Sequence, residues 1–460
     1  MASRILPVSA LLAGVALLLL GSGLFGTLLA VRAGLEGFST TAIGLVMSAY
    51  FAGFLLGTRI APEVIERVGH IRSFAIFAAI AACTAVLHPL LIGVWSWAVL
   101  RVITGISIVG LFNVIESWLT VQADPKSRGG LFAVYMIVNL VAMAAGQWLI
   151  LASPVDSFEL FSIITVLFAL SLVPVALTRL GQPDVTKVTA VPFHTVWRVA
   201  PVAIAGAFLS GIVMGSFWGM GPLFGQRVGL GQAGVALLMS LTIIGGAVMQ
   251  LPIGHYSDRH DRRRVIGLTA TWGALLAAGT SLLIGYYERA LFPMMFLYGG
   301  FAFSIYPLCA AHLSDWLEAD QLVGGSGWLL LMHGAGAALG PLAAGLFIGR
   351  AGEGSLPLFF GIVLLPLAIF AAWHALPRRR DEELLEDQSS TFVPMVRTSP
   401  VVMELLAEEL EPEGGFIDPD AELDVPEGFI EDLGTYQPSQ EAEAPATEHA
   451  SAEEASPSGR

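Results

Sequence analysis

The sequence predicts an all-α membrane protein with twelve transmembrane helices in two pseudo-symmetric six-helix halves. Three observations carry that prediction. The 460 residues are 55% hydrophobic and only 13% charged, whereas soluble domains run at roughly 45–50% apolar and about 25% charged. Twelve apolar runs are long enough to cross a hydrocarbon core of about 30 Å, which takes roughly 20 helical residues. The two halves of the chain also echo each other. This composition excludes a water-soluble enzyme, a nucleic-acid binder and a disulfide-stapled secreted domain.

The formal net charge of −14 is unevenly spread. Residues 1–380 carry 21 Lys and Arg against 15 Asp and Glu, whereas residues 381–460 carry 2 Arg against 22 acids. The acidity belongs to a tail, and the remainder is mildly basic. Cys83 and Cys309 each lie in an apolar run and read as small core residues rather than a disulfide.

In chain order the predicted spans lie near 6–30, 40–62, 72–93, 97–121, 129–152, 158–178, 198–220, 232–255, 265–286, 291–316, 324–349 and 355–376. The first is too long for a signal-peptide core and eleven more follow it, so it reads as a helix. If the N-terminus is inside, the loops on that side hold sixteen Lys and Arg, among them Arg67, Arg72, Lys126, Arg128 and Arg259. The opposite loops hold only Arg32, Arg227, Arg289 and Arg350. Basic residues collect on the cytoplasmic side, so both termini are expected there.

Internal repetition sets the domain plan. A shift of 192 residues brings Met47-Ser48 onto Met239-Ser240, Glu66-Arg67 onto Asp258-Arg259 and Arg72 onto Arg264. Shifts of 195, 198 and 194 bring Arg32 onto Arg227, Trp118-Leu119 onto Trp316-Leu317, and Gly146 onto Gly340. The expected organisation is an N-terminal half (1–180), a polar cytoplasmic linker (181–196), a C-terminal half (197–380) and a disordered acidic cytoplasmic tail (381–460). Parallel halves place a substrate site at their interface near the bilayer midplane.

The strongest local motif runs from Gly254 through Asp258, Arg259 and Asp261 to Arg262-Arg263-Arg264, between spans eight and nine. Its counterpart between spans two and three holds Pro62, Glu66, Arg67, Gly69, His70 and Arg72. This resembles the Gly-x-x-x-Asp-Arg-x-Gly-Arg-Arg loop of the major facilitator superfamily, which occurs in both halves. The N-terminal copy departs from it at Pro62, Glu66 and His70. An acid at a helix end that pairs with Arg on the facing half forms a latch that must break when the halves rock. The basic residues also serve topology, and for Arg262, Arg263 and Arg264 the two roles weigh equally. Glu66, Arg67, Arg72, Gly254, Asp258 and Arg259 are the expected cytoplasmic gate, joined by Glu116, Arg128 and Asp315.

Arg101-Val-Ile-Thr-Gly105 in the fourth span resembles the superfamily's Arg-x-x-x-Gly motif, and the resemblance implies a part in proton transfer for Arg101. An ionisable residue inside a span is a functional candidate in its own right, although near a span end an Arg can snorkel to the interface. The fourth span ends Glu116-Ser-Trp118-Leu119 and the tenth ends Asp315-Trp316-Leu317. Glu116 lies fifteen residues beyond Arg101, about 22 Å along the helix, which favours the gate over proton carriage. The segment Asn113 to Leu119, with Arg128-Gly129-Gly130 and Gly146-Gln147, resembles the YcaD-like bacterial group, which implies a bacterial inner-membrane location. In the eleventh span Gly336, Gly340-Pro341 and Gly345 suit close helix packing with a kink. The superfamily's antiporter Gly-Pro motif belongs to the fifth span, so no antiporter assignment follows.

Polar and aromatic residues within spans are the candidate cavity lining: Tyr50, Asn113, Tyr135, Asn139, Gln147, Trp218, Gln250, Tyr306 and Trp328. Helix–helix hydrogen bonding is an equal alternative for each. His312 and His333 join Arg101 and Glu116 as proton-coupling candidates. No Lys occurs in a span, which disfavours a highly charged substrate, although Arg101 suits a monoanion.

The tail composition cannot bury a core. Pro400–Glu411 suits one short amphipathic helix, and Glu413–Asp418 and Glu427–Glu431 are near copies. They are either partner-binding peptides for a cytoplasmic protein or low-complexity drift, with drift favoured. The expected function is secondary active transport of a small organic solute by alternating access, coupled to protons, with symport and efflux antiport both open. The alternatives are a lipid or lysolipid flippase of the same fold and a transport-dead sensor signalling through its tail. No nucleophile, metal-ligand or phosphate-loop constellation occurs, so no enzymatic activity, cofactor, metal or nucleic-acid partner is expected. A monomer in the bilayer is the expected working unit.

Overall fold

The computed structural model describes residues 2–122, 128–177, 191–284, 288–317, 319–376, 392 and 395. All of them fall within residues 1–411, a single compact unit. The expected tail helix at Pro400–Glu411 and the two near-copy peptides lie outside the described residues.

Each predicted apolar run is a helix. The first six are α1 (Ala2–Leu35), α2 (Thr40–Val68), α3 (His70–Leu87), α4 (Val94–Gln122), α5 (Arg128–Trp148) and α6 (Glu159–Ala176). A short α7 (Phe193–Val199) precedes α8 (Pro201–Arg227), α9 (Gln232–Ser257), α10 (Arg262–Leu283), α11 (Leu291–Ser314), α12 (Ala319–Ala351) and α13 (Leu356–His374). Among the described residues twelve helices, all but α7, are long and apolar enough to cross a membrane. Their outward faces leave large side chains such as Trp95, Val141, Leu282 and Trp373 exposed, as a surface solvated by lipid requires.

Helix ends follow local chemistry. The Ser39 hydroxyl accepts the Ala42 N–H at 3.2 Å and starts α2. Gly69, at φ +82°, turns α2 into α3 with its N–H on the Ile65 carbonyl. The Asp261 carboxylate caps α10 by accepting the Arg263 N–H at 2.9 Å. Three boundaries differ from the sequence expectation. Helix α2 runs past Pro62 to Val68. The third span stops at Leu87, although its apolar run continues to Ile92, because Pro89 has no backbone N–H to carry the helix on; His88 itself keeps helical φ and ψ and caps the end. The expected linker at 181–196 gives way to helix from Phe193, and this helix is tied to α12 by a 2.7 Å bond from the Trp328 indole N–H to the Val191 carbonyl.

Small residues let the cavity-bearing helices touch backbone to backbone. A Cβ on Gly53 of α2 would meet the Val102 backbone, and one on Gly105 of α4 would meet the Tyr50 carbonyl. This reciprocal contact holds Tyr50 and Arg101 on one wall. In the other half, Gly211 of α8 lies on the His333 carbonyl and Gly336 of α12 on the Phe208 carbonyl. The halves meet toward the end that carries the α1–α2 turn, here called the far end. There the Thr40 hydroxyl donates to the Gly345 carbonyl at 3.0 Å, the Leu342 N–H donates to the Ser48 hydroxyl at 3.0 Å, and the Ser240 hydroxyl donates to the Ala144 carbonyl at 3.0 Å. The opposite, basic end carries the α2–α3 and α9–α10 turns.

Candidate functional site: a central cavity and a charged cluster at the basic end

A cavity of about 160 Å³ lies between the halves, lined by α1, α2, α4, α5 and α6 on one side and by α8, α11 and α12 on the other. Helix packing brings Tyr50, Arg101, Asn139, Trp218, Tyr306 and His333 from the sequence-predicted set into its wall. Among the described residues the lining contains no Asp, Glu or Lys.

Arg101 does not snorkel to the interface. It is 6% exposed, with its guanidinium carbon 4.3 Å from the Tyr50 ring centroid and 5.4 Å from that of Phe25. Its Nε is buried without a hydrogen-bond partner among the described residues. Facing it from the C-terminal half, His333 places Nδ1 3.2 Å from the Ala207 carbonyl and 3.1 Å from the Ser210 hydroxyl, with its ring 4.7 Å from that of Tyr306. A carbonyl only accepts, so Nδ1 carries a hydrogen and Nε2 is the position that gains or loses a proton.

The other candidates are buried elsewhere. Tyr135 donates its hydroxyl to Glu116 at 2.7 Å, joining α5 to α4 inside the N-terminal half, and both are fully buried. Glu116 is therefore a core acid of one half. Gln147 accepts from the Thr27 hydroxyl and donates to the Gly23 carbonyl, so it supports the cavity wall from behind while Thr27 faces the cavity. Asn113 and Gln250 are buried outside the lining, and Trp328 is engaged with Val191 and Phe193. His312 packs against Trp316 near the basic end, away from the cavity wall.

At the basic end the hub is Arg262, a residue the motif left between topology and gating. Its Nε donates to Asp315 at 2.7 Å, while its NH groups reach Asp258 at 3.2 Å and the Ser257 hydroxyl at 3.3 Å. Its side chain is 4% exposed. Asp258 thus pairs inside its own half rather than with the facing half as expected, because Arg262 follows it by four residues across the turn into α10. Arg259, Glu66, Arg67 and Arg72 are exposed, and none forms an ion pair with a described residue. Arg128 opens α5, and its side chain lies outside the description. The i, i+4 spacing of Asp258 and Arg262 is the sequence signal from which the pair could have been read.

Two tail residues correct the expectation of a wholly detached tail from residue 381. Phe392 is buried, donates its N–H to Asp258 at 2.9 Å and lays its ring on Gly254, where a Cβ would collide with it. Met395 is buried and lines the central cavity. The missing side chain of Gly254 is thus the seat for an aromatic ring.

Comparison with known proteins settles the family. An uncharacterized MFS-type transporter of Enterobacter sp. (strain 638) is 32% identical over 337 residues, which cover 73% of this chain and 87% of that protein. The chain belongs to the major facilitator superfamily. The uncharacterized MFS-type transporter YcaD of Escherichia fergusonii is 30% identical over 337 residues, again 73% of this chain and 87% of the relative. The Major Facilitator Superfamily model matches residues 203–408. Solved structures share the facilitator fold at low identity. The nucleoside transporter NupG has a TM-score of 0.64 at 14% identity and covers 82% of this chain and all of its own. A D-xylose-proton symporter has a TM-score of 0.62 at 15% identity, covering 82% of this chain and 98% of its own. An inward-facing, occupied bacterial homolog of the human lysosomal transporter Spinster has a TM-score of 0.63 at 16% identity, covering 81% and 97%. This facilitator is a membrane transporter, not an enzyme.

Proposed function

We propose that this facilitator carries a small organic solute across the bacterial inner membrane by alternating access, coupled to protons, with its basic end and both termini in the cytoplasm. One observation carries the reading: a cavity lined from both halves, with the halves hydrogen-bonded to each other toward the far end. That arrangement suits a state closed to the outside and reached from the cytoplasm. The excess of Lys and Arg in the loops of the basic end supports the orientation. The cavity volume of about 160 Å³ suits a small solute better than a whole lipid.

Proton coupling rests on His333. It lines the cavity, its Nδ1 is committed to Ala207, and imidazole is the side chain whose ordinary pKa lies closest to neutrality. Reconstituted protein in liposomes under an imposed pH gradient, offered a metabolite panel, tests the proposal. Accumulation of the carried solute should collapse when the gradient is abolished. His333→Gln should keep solute exchange but lose gradient-driven accumulation. Accumulation indifferent to the gradient refutes the coupling, and movement of labelled lipid without movement of any solute refutes the solute reading in favour of a flippase.

A further inference from the structure

We propose that the cavity selects an organic monoanion, a carboxylate on an apolar or aromatic body, and that Arg101 is the residue that binds its charge. This deepens the transport reading and rests on it.

The argument begins with an imbalance of charge. A guanidinium has five N–H donors and stays ionised. Arg101 meets only two ring faces, Tyr50 and Phe25, and forms no hydrogen bond or ion pair with any described residue. Among the described residues no Asp or Glu lines the cavity to balance it. A cation inside a membrane span with no anion beside it is costly. Contact with two ring faces offsets part of that cost. It leaves the hydrogen-bonding edge unused, and that edge matches the two oxygens of a carboxylate.

The rest of the wall defines the remainder of the ligand. Phe54, Phe112, Phe168, Trp218 and Phe303 line the cavity and present apolar faces from both halves. They suit a hydrocarbon or aromatic body. Arg101 is the only Lys or Arg among the described residues of the lining, which favours a single carboxylate over a phosphate dianion or a dicarboxylate. Arg101 comes from the N-terminal half and His333 from the C-terminal half. A carboxylate on the first and a proton on the second make a load with no net charge, and both halves must engage for it to be complete.

The test uses the full chain in detergent, following Trp fluorescence, to which Trp218 in the cavity contributes, and thermal unfolding. The probes are benzoate, its neutral analogue benzamide, and benzylammonium. Benzoate should bind at least ten-fold more tightly than benzamide and raise the melting temperature, and benzylammonium should do neither. Arg101→Lys should weaken benzoate binding while keeping the order of preference, and Arg101→Met should erase the preference. Equal binding of benzoate and benzamide by the wild-type chain overturns the proposal without recourse to any variant, as does a preference that survives Arg101→Met. Transport of a neutral solute with no binding of carboxylates overturns the anion proposal and leaves the transport reading standing.

Discussion

The hydrogen bonds that join the halves at the far end set how readily the molecule leaves its present conformation. Ser48→Ala with Ser240→Ala removes two of them. Ser48 accepts the Leu342 N–H at 3.0 Å, next to the Pro341 kink, and Ser240 donates to the Ala144 carbonyl at 3.0 Å. Both serines are buried, and they lie on different helix pairs, α2 with α12 and α9 with α5. Interhelical hydrogen bonds in membranes are worth about 0.6 kcal/mol on average and up to roughly 1.7. Removing the acceptor of the half-buried Leu342 N–H adds up to about 1 kcal/mol. Separate sites add nearly independently, so the pair should destabilise the closed far end by about 1–3 kcal/mol, a shift of roughly 5- to 150-fold in population. Spin labels on Leu35→Cys and Ala351→Cys, exposed positions of the two halves at the far end, report this as a distance distribution in nanodiscs. Cys83 and Cys309 are first replaced. A longer-distance population should grow with each serine removed and most with both. An unchanged distribution, in a double variant that still folds, refutes the assignment of these bonds to the closure between the halves.

Three further outcomes follow from packing and charge. Arg262→Met removes the guanidinium shared by Asp258 and Asp315, whose side chains are 26% and 16% exposed. Partial solvation reduces the cost of breaking such a pair to about 1–3 kcal/mol, which thermal unfolding should register, whereas Arg259→Ala at its exposed neighbour should leave the melting temperature unchanged. Gly105→Ala places a methyl group on the Tyr50 carbonyl and should lower stability by about 1–3 kcal/mol, while Gly130→Ala, which meets nothing, should not. Ending the chain after Arg380 removes Phe392 from Gly254 and Met395 from the cavity, and the initial uptake rate into liposomes should rise. An unchanged rate would mean that these two contacts do not limit access.

How much of the site could be read in advance depended on contrast with lipid. Arg101, Asn139, Trp218, Tyr306 and His333 stand out in apolar runs because a polar or ionisable group inside a membrane must face protein or a cavity. Thr27, Phe54, Phe168 and Phe303 did not stand out, although they line the same chamber. An apolar side chain has the same composition whether it meets lipid, a neighbouring helix or a substrate, so only the packed helices reveal which of the three it faces. Asn113, Gln147 and Gln250 carried the same polar signal as the lining residues, and only the fold shows that they are buried outside the lining.

The sequence by itself determined the helix count, the family and the acidic tail, because these follow from local quantities: run length against bilayer thickness, repeated motifs, and net charge. Tertiary structure alone decided that Asp258 and Asp315 share Arg262 within one half, that Phe392 sits on Gly254, and that Arg101 faces a cavity whose described lining is aromatic and holds no acid. Each of these depends on which residues distant in the chain come within a few ångströms. Glycines that bring backbones into contact set those distances, and they leave no trace in hydropathy beyond the absence of a side chain.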